Sequence, residues 1–223
     1  MKINERLKKI GDLVPLSSYP LDIGCDHALL TIYLTKERSI EKALAADNKE
    51  GPLQMAKVNI ANYHLEDKIE LILADGLDAY RKGVSVVTIS GMGGLTINKI
   101  IDKGRKYLKY INTFILSPNN YTIAVKRKLK RYGYYISDEY VVKDKNKIYQ
   151  IMVFTKGKKY YSYKKLFLGP VLMTRREPLV KEYYLNELKM KQQLLKIMPS
   201  SFTSKRRLLK REIKYLEAII KEI

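Results

Sequence analysis

The stretch from Leu21 to Leu30 constrains the fold most, because a short apolar strand pattern there turns on one glycine into a helical pattern. Such a strand–turn–helix places backbone N–H groups and the positive end of a helix dipole at the carboxyl edge of a sheet. In open α/β sheets, nucleotide-like ligands bind at this edge. Asp22 would repel a pyrophosphate, whereas S-adenosylmethionine carries a cationic sulfonium and an amino group. The stretch therefore predicts a site for a cationic ligand of that kind.

Two later strand patterns repeat this plan, and each ends in an acid. A short buried strand is predicted to end at Asp47, and the next strand is closed by Asp75 and Gly76. Asp47 lies 23 residues beyond Gly24, close to the ~20-residue offset at which a second-strand carboxylate reaches ribose hydroxyls. A helix is predicted between these strands, with a core face formed by Leu53, Ala56, Val58 and Ile60.

The remaining patterns up to residue 155 complete an alternating α/β chain. The β-branched run 84–90 predicts a central strand buried on both faces. The further predicted elements are the loop 91–94, a helix over 95–108, a strand over 113–116, a turn at 117–120, a basic helix over 125–131, and hairpin strands over 134–142 and 148–155. A helix over 2–11 precedes them all. This order predicts a doubly wound sheet with one antiparallel strand.

The chain after residue 155 is more basic and more helical. Residues 156–223 contain 18 Lys and Arg against 6 Asp and Glu, a net charge of +12 within the +20 of the whole chain. Two periodic apolar stretches predict an antiparallel, coiled-coil-like helical pair, and a Ser or Thr within 199–204 is expected to cap the second helix. We expect an S-adenosylmethionine-binding α/β domain over 1–155 and a basic helical pair over 156–223. The charge favours nucleic acid as partner, with a solvated charged surface as the alternative.

Composition indicates the cellular compartment of the protein and argues against a membrane span and a zinc site. The chain lacks a run of about 18 apolar residues that would predict a membrane span, and residues 1–6 lack the apolar core of a signal peptide. The single cysteine, Cys25, fits a reducing compartment. One cysteine and two distant histidines do not make a zinc site. We therefore expect a cytoplasmic monomer with no membrane partner and no metal.

Taken in order, the motifs resemble the bacterial tRNA (adenine-22-N1)-methyltransferase family. The matching stretches are Asp22-Ile23-Gly24-Cys25-Asp26-His27-Ala28, Asn48 to Leu53, Asp75-Gly76-Leu77, Ile89 to Gly94, Pro118-Asn119 and Lys147-Ile148-Tyr149. The resemblance covers the whole chain, which departs from the pattern at Ser117, where a glutamine is expected. It implies a class I Rossmann-like fold, S-adenosylmethionine as cofactor, and methyl transfer to N1 of adenine 22 in the D-arm region of tRNA.

The resemblance, together with the chemistry, assigns roles to individual residues. The residues expected to bind the cofactor are Asp22, Gly24, His27, Asp47, Asn48, Asp75, Gly76 and Gly91. The residues expected at the methyl-transfer centre are Asp26, Met92, Gly93 and Asn119. The residues expected to contact RNA are Lys126, Arg127, Arg175, Arg176, Lys205, Arg206 and Arg207. Alternatives stay open for three of them: a helix N-cap for Asp26, structural packing for His27, and a plain β-turn for Asn119.

Other functions fit the sequence less well. A nicotinamide-dependent oxidoreductase needs G-x-G-x-x-G, of which only Gly24 is present, with Asp26 in place of the second glycine. A methyltransferase for exocyclic amines would carry an Asn/Asp-Pro-Pro-aromatic loop, whereas residues 90–94 read Ser-Gly-Met-Gly-Gly. The remaining alternatives are methylation of another RNA base and a non-catalytic, basic RNA-binding protein.

Overall fold

The computed structural model describes residues 3–223, and these residues are organised around one sheet of seven strands. The strands are β1 (Pro20–Ile23), β2 (Ala43–Asp47), β3 (Ile69–Leu73), β4 (Val86–Ser90), β5 (Thr113–Ser117), β6 (Tyr134–Asp144) and β7 (Lys147–Lys156). Their order is β3-β2-β1-β4-β5-β7-β6. β7 runs antiparallel to both of its neighbours, while the other adjacent pairs are parallel. The predicted doubly wound sheet with one antiparallel strand is confirmed.

Helices cover both faces of this sheet and continue beyond it. They are α1 (Glu5–Asp12), α2 (Leu29–Lys36), α3 (Glu50–Asn62), α4 (Gly94–Lys103), α5 (Thr122–Arg131), α6 (Tyr163–Leu168), α7 (Pro178–Ile197) and α8 (Thr203–Glu222). The first of them begins after Asn4, whose side chain accepts a hydrogen bond from the Leu7 N–H at 2.8 Å. The predicted helix over 2–11 therefore starts later, and its residue 2 lies outside the described residues.

Two helix predictions are wrong in detail. α4 ends at Lys103 rather than at 108, because the chain turns at Gly104. A Cβ at Gly104 would lie 2.3 Å from the Leu77 Cβ, so a side chain there would collide with the neighbouring segment. On α3, Val58 is 54% exposed, whereas Leu53 and Ile60 are buried. The buried positions follow the spacing of one helix face, and Val58 lies outside it.

The core explains why the strand ends form an edge where a ligand can bind. The neighbouring central strands β1 and β4 are almost wholly buried along their length, as their apolar sequences predict. α1 and α2 contribute Ile10 and Leu30 to one cluster against the sheet, and α4 contributes Ile97 to another. With helices on both faces, the carboxyl ends of the parallel strands stay uncovered as a shared edge.

A buried ion pair corrects the role predicted for Lys126. Its side chain is 1% exposed, and Nζ lies 2.8 Å from Oε1 of Glu139, which is itself 0% exposed. The same carboxylate accepts hydrogen bonds from Gln150 Nε2 at 3.1 Å and from the backbone N–H groups of Val171 and Leu172 at 3.0 and 3.1 Å. Lys126 therefore points into the core, and its predicted contact with RNA is wrong.

The predicted antiparallel helical pair is present as α7 and α8. Its buried seam includes Leu172, Val180, Tyr184, Leu216 and Ile219. The predicted Ser or Thr cap on α8 is wrong, because Phe202 occupies the N-cap position and makes no side-chain cap bond.

Arg206, predicted to contact RNA, instead forms hydrogen bonds in the connection between α7 and α8. Its Nη1 donates to the carbonyl oxygens of Leu195, at 3.0 Å, and Met198. It thereby satisfies backbone acceptors at the end of α7, which otherwise have no partner within the helix.

The segment between β7 and α6 packs against the sheet. The Tyr161 hydroxyl donates to the Ile136 carbonyl at 3.1 Å, and β7 extends to Lys156. The division of the chain at residue 155 stays a prediction. Among the helices formed by residues 3–223, none has the length and apolar character to span a membrane.

We predict that Lys126→Ala lowers the free energy of unfolding by about 3–5 kcal/mol, because it leaves the Glu139 carboxylate buried without its cation. Arg127→Ala removes the same charge one residue away from an exposed position, and it should change stability by no more than about 0.5 kcal/mol. Urea unfolding of both variants measures the difference. Equal, small effects would contradict a structural role for the buried pair.

Candidate active site

Asp22 occupies the centre of the edge, near the end of β1. The carboxylate is buried, and its Oδ1 accepts a hydrogen bond from Thr88 Oγ1 on β4 at 2.7 Å. Burial disfavours the charged form and raises the pKa of Asp22 to about 6, with a further contribution from the negative charge of Asp47 and an opposing one from the Thr88 hydrogen bond. A cationic group bound beside Asp22 would favour its ionised form.

The turn after β1 brings the first two acidic strand ends together. Gly24 has a φ of +75° and donates its N–H to the Ala46 carbonyl at 2.8 Å. The Asp26 N–H is directed at Asp47 Oδ2, 3.4 Å away, and Asp47 Oδ1 accepts from the Lys49 N–H at 3.1 Å. The turn thus places the Asp47 carboxylate directly beside the Gly24 loop, where a ribose bound at this edge would meet it.

The structure narrows the alternatives for Asp26 and His27. The N-cap residue of α2 is Ala28, which has a left-handed conformation and makes no side-chain cap bond, so Asp26 is not the helix cap. The side chains of Asp26 and His27 are 69% and 44% exposed, with His27 Nε2 3.6 Å from Asp26 Oδ2. Both therefore stand at the open tip of the loop, where a ligand can reach them, and His27 is not packed into the core.

Asp75, the acid that follows β3, lies on the same edge but is paired with a lysine of the chain. Asp75 is exposed and pairs with Lys103 Nζ at 2.9 Å. Gly76 follows with a φ of +61°, and a Cβ there would lie 2.8 Å from Ile100 Cγ2. Asn48, after β2, is exposed and lies next to Asp47. Together these residues extend the polar edge from β1 across β2 to β3.

The loop after β4 meets the β1 turn at this edge. A Cβ added to Gly24 would lie 2.2 Å from Met92 Cε, so the methionine side chain lies directly over that glycine. Gly91 has a φ of +77°, and Gly93 is the N-cap residue of α4. The predicted methyl-transfer residues Met92 and Gly93 are therefore adjacent to the predicted cofactor turn.

Asn119 fixes this loop to the one after β5. Its backbone N–H donates to the Met92 carbonyl at 2.8 Å, and its side-chain Nδ2 donates to the Gly91 carbonyl at 2.6 Å. Asn119 is exposed, so its amide oxygen and second amide hydrogen remain accessible. Asn119 therefore does more than form a plain turn. Ser117, where the sequence departs from the family pattern, is buried and donates to the Gln150 carbonyl at 3.0 Å.

A cleft of about 710 Å³ opens beside Asn119, between the sheet and the helical pair. Its walls come from the loop after β5, the turn of the β6–β7 hairpin, and α7. Aromatic and amide side chains dominate the lining, and they include Asn119, Asn120, Tyr121, Tyr149, Tyr183 and Asn186. The cleft offers space and stacking surfaces next to the predicted methyl-transfer centre.

Sequence reasoning missed two residues of this region, Arg6 and Tyr149. Arg6 lies on α1, which no cofactor motif includes. In the structure its guanidinium lies over the Tyr149 ring, 4.4 Å from the centroid, and Nη2 lies 3.6 Å from where a Cβ of Gly91 would be. Tyr149 was noted only as part of a motif. No local pattern reveals this pair, since the two residues are far apart in sequence.

The site suits S-adenosylmethionine in its chemistry. The acids Asp22 and Asp47 match the amino group and ribose hydroxyls of that molecule in charge and hydrogen-bonding capacity. In the described residues, no group of three His, Cys, Asp or Glu side chains is arranged to hold a metal. The sheet order with one antiparallel strand and the acids along its edge define a class I Rossmann-like methyltransferase.

Comparisons with known proteins narrow this class to one family. A family model described as tRNA (adenine(22)-N(1))-methyltransferase matches residues 20–218, so the chain belongs to this family, TrmK. The Bacillus subtilis tRNA (adenine(22)-N(1))-methyltransferase is 28% identical over 195 residues, which cover 84% of this chain and 82% of that protein.

Solved structures agree with this assignment. Sp1610 of Streptococcus pneumoniae in complex with S-adenosyl-L-methionine superposes with a TM-score of 0.89 at 30% identity, covering 98% of this chain and 100% of that one. TrmK of M. capricolum in complex with S-adenosyl-homocysteine has a TM-score of 0.84, with 99% of each chain covered. At 23% identity, this second likeness supports the fold alone.

We predict that Asp22→Asn stabilises the folded protein at pH 7 while it weakens cofactor binding. The pKa of Asp22 is raised from 3.8 to about 6 on folding. The native state therefore holds the proton more tightly, and stability falls as pH rises through this interval. An uncharged amide should gain about 1–3 kcal/mol at pH 7 and nothing near pH 4.

Unfolding of both proteins across this pH range measures the effect, with the exposed Asp26→Asn as matched control. A destabilised Asp22→Asn variant at pH 7 would contradict the burial argument.

Proposed function

We infer that this protein transfers the methyl group of S-adenosylmethionine to N1 of adenine 22 in the D-arm region of tRNA. Family membership over residues 20–218 supports this substrate. One structural observation carries the chemistry: Asn119, which lines the cleft, is hydrogen-bonded to the carbonyls of Gly91 and Met92, and the Met92 side chain lies over the Gly24 turn. This arrangement supports a meeting of the two reactants at this point of the edge.

The reaction requires little from acid–base groups. Adenine N1 has a free lone pair and attacks the cofactor's methyl group without first losing a proton. Holding the reactants in line can supply roughly 7–11 kcal/mol of the barrier reduction. The main task of the site is therefore to position the cofactor and the base. The hydrogen bonds between the loops after β4 and β5 fit that task.

Asn119 is suited to hold the target base by its Hoogsteen edge, the edge of N6 and N7, which does not include N1. One of its amide hydrogens is committed to the Gly91 carbonyl. The amide oxygen and the second amide hydrogen match the N6 amino group and N7 of adenine, the pair of contacts by which asparagine recognises this base. Held in this way, adenine keeps N1 free and directed at the methyl group.

Asp26 is the acid best placed to act on the product. N1-methyladenine is cationic, and a carboxylate nearby stabilises the charge that develops during transfer. Asp26 stands exposed at the loop tip, whereas Asp22 is buried and bonded to Thr88. We therefore assign Asp26 to the base and Asp22 to the cofactor.

The cleft beside Asn119 is suited to an extruded nucleotide. N1 lies on the Watson–Crick edge, so a paired adenine must leave its helix at a cost of a few kcal/mol. Tyr121, Tyr149 and Tyr183 line the cleft and offer surfaces on which a base can stack. These contacts would offset part of the cost of extrusion.

The surface proposed to contact tRNA is smaller than the sequence predicted. Arg175 is excluded in addition to Lys126 and Arg206, because its Nη2 and Nε donate to Asp138 Oδ1 and to the Glu139 carbonyl, each at 2.8 Å. Arg127 lines a depression of about 340 Å³ together with Lys130, Arg131, Tyr161 and Tyr163. The other exposed members of the proposed surface are Arg176, Lys205 and Arg207.

The finer points of assembly and location also belong to this proposal. We propose that the protein is a monomer and that it is located in the cytoplasm. Its support is the basic charge of +20 and a single cysteine, Cys25, which is buried as a free thiol. We also propose that the chain has two parts, with catalysis in residues 1–155 and RNA contacts enriched in residues 156–223.

The inferred reaction is tested with unmodified tRNA and labelled S-adenosylmethionine, with the product nucleoside identified by mass spectrometry. We expect N1-methyladenine from tRNA that has adenine 22 and none from the same tRNA with guanine 22. Methylation of the guanine-22 tRNA at another base would instead support the alternative of a different acceptor. Tight cofactor binding without transfer to any RNA would contradict the inference.

We predict that Arg127→Ala and Arg207→Ala each weaken tRNA binding while S-adenosylmethionine binding is unchanged. The plot of log K against log salt has a negative slope, and loss of one phosphate contact should reduce its magnitude by roughly 0.7–0.9. Lys68→Ala is the matched control, because this exposed lysine precedes β3 at the opposite edge of the sheet. Salt titrations of tRNA affinity measure the slopes. A slope change in the control as large as in the variants would argue for non-specific charge alone.

A further inference from the structure

We propose that Glu187 of α7 determines which base the cleft accepts, because its carboxylate receives a hydrogen bond from the 6-amino group of adenine. The proposal deepens the proposed function and rests on it, since it names a further residue for the base that the cleft would receive. Glu187 belongs to none of the motifs found in the sequence, and it lies in the C-terminal helical pair rather than among the strand ends.

One stripe of side chains on α7 faces the cleft. The spacing of these side chains, at i, i+3, i+4, i+7 and i+8, is that of a single helix face. They are Tyr183, Asn186, Glu187, Met190 and Lys191. Asn119 lines another wall of the same cleft, on the loop after β5. A base that enters the cleft from the sheet edge can therefore contact both Asn119 and this stripe.

Glu187 differs from the other acid of the cleft because its carboxylate has no partner. Glu212 accepts from Lys191 Nζ at 2.8 Å and from the Tyr163 hydroxyl, so both of these donors are already engaged. Among residues 3–223, the half-buried carboxylate of Glu187 forms neither an ion pair nor a hydrogen bond. The cleft thus contains one charged acceptor that is available to a ligand.

The surroundings of Glu187 make its charged form costly while no donor is bound. Burial is the main cause that raises the pKa of Glu187, and the negative charge of Glu212 adds to it, while Lys191 and Lys126 act in the opposite direction. A hydrogen bond donated to the carboxylate favours the charged form. A ligand that brings an N–H group to this position therefore relieves part of the cost of burial.

An extruded adenine needs an acceptor of this kind. In a Watson–Crick pair, the amino hydrogen on the N1 side is donated to a carbonyl of uracil, and extrusion removes that carbonyl. A donor that stays unmet in a partly desolvated cleft weakens binding. Because Asn119 is proposed to hold the N7 side of the base, the hydrogen on the N1 side is left for Glu187. Guanine presents a carbonyl oxygen at the same position, which a carboxylate repels.

This contact strengthens as the reaction proceeds. When the N1–methyl bond forms and the methyl–sulfur bond breaks, the positive charge passes from the sulfonium to adenine, and the 6-amino group shares it. A hydrogen bond from a charged donor to a carboxylate is stronger than one from a neutral donor. Interactions that strengthen toward the transition state raise the rate. Asp26 acts from the loop after β1, whereas Glu187 acts from α7.

The test compares kcat/KM for three tRNAs that differ only at position 22. One carries adenine, one carries unsubstituted purine, which keeps N1 but lacks the 6-amino group, and one carries 7-deazaadenine, which lacks N7. Glu187→Ala should lower kcat/KM for the adenine tRNA by about 10- to 100-fold and leave that for the purine tRNA unchanged. The ratio between adenine and 7-deazaadenine should be the same in variant and parent, because N7 faces Asn119.

Two further variants serve as controls. Glu217→Ala removes the same charge from an exposed position of α8 outside the cleft lining, and it should leave the ratio between the adenine and purine tRNAs unchanged. Glu187→Gln keeps a neutral acceptor and should lose less activity on the adenine tRNA than Glu187→Ala. In urea unfolding at pH 7, Glu187→Ala should be at least as stable as the parent, because it removes a carboxylate whose pKa is raised by folding.

Two results would overturn the proposal. Equal losses on the adenine and purine tRNAs would show that Glu187 shapes the cleft without contacting the 6-amino group. An equal gain on all three tRNAs would show that Glu187 only repels the phosphate backbone. If the parent protein methylates no adenine 22, the proposed function fails and this proposal fails with it. Methylation of adenine 22 with an unchanged ratio between adenine and purine contradicts the role of Glu187 alone.

Discussion

The buried pair of Lys126 and Glu139 is the interaction on which the arrangement of the two parts depends. One carboxylate receives the ammonium of α5, the amide of Gln150 on β7, and two backbone N–H groups from the segment that leads into α7. An ion pair away from water stabilises a fold only when such further hydrogen bonds satisfy it. Here they do, and the helical pair is consequently attached to the sheet at a defined place.

That attachment gives the active site its second wall. The loops after β1, β4 and β5 form a flat edge by themselves, as the ends of parallel strands do. The bonds from Val171 and Leu172 to Glu139 help to place α7 across from this edge, together with the buried contacts of Val180 and Tyr184. The cleft that separates them adjoins this buried contact, because Gln150, which donates to Glu139, also lines the cleft.

Much of the fold was predictable from sequence because it depends on local patterns. Strands buried on both faces, acids at their ends and amphipathic helices all leave periodic signals, and the edge carrying Asp22, Asp47 and Asp75 follows from topology. The errors concern long charged side chains. Lys126 and Arg206 look like solvated residues in any window of sequence, and their acceptors lie on other elements of the chain.

The same limit explains what was missed at the site. Arg6 reaches Gly91 and Tyr149 across three separate elements, so no spacing rule connects them. One helix end also differs from the prediction: α4 stops at Lys103, and the next residue, Gly104, lies where Leu77 leaves no space for a side chain. Local chemistry predicts which elements form, and packing between elements decides where they end and which way a long side chain points.

The double contact of Asn119 with the loop after β4 has a consequence for the timing of catalysis. Backbone and side chain of one residue bond to consecutive carbonyls of the neighbouring loop, so the two loops are cross-linked in the folded chain. The conformational entropy of these loops is therefore lost when the chain folds, rather than each time a substrate binds. The arrangement of the two loops is then set before a substrate arrives.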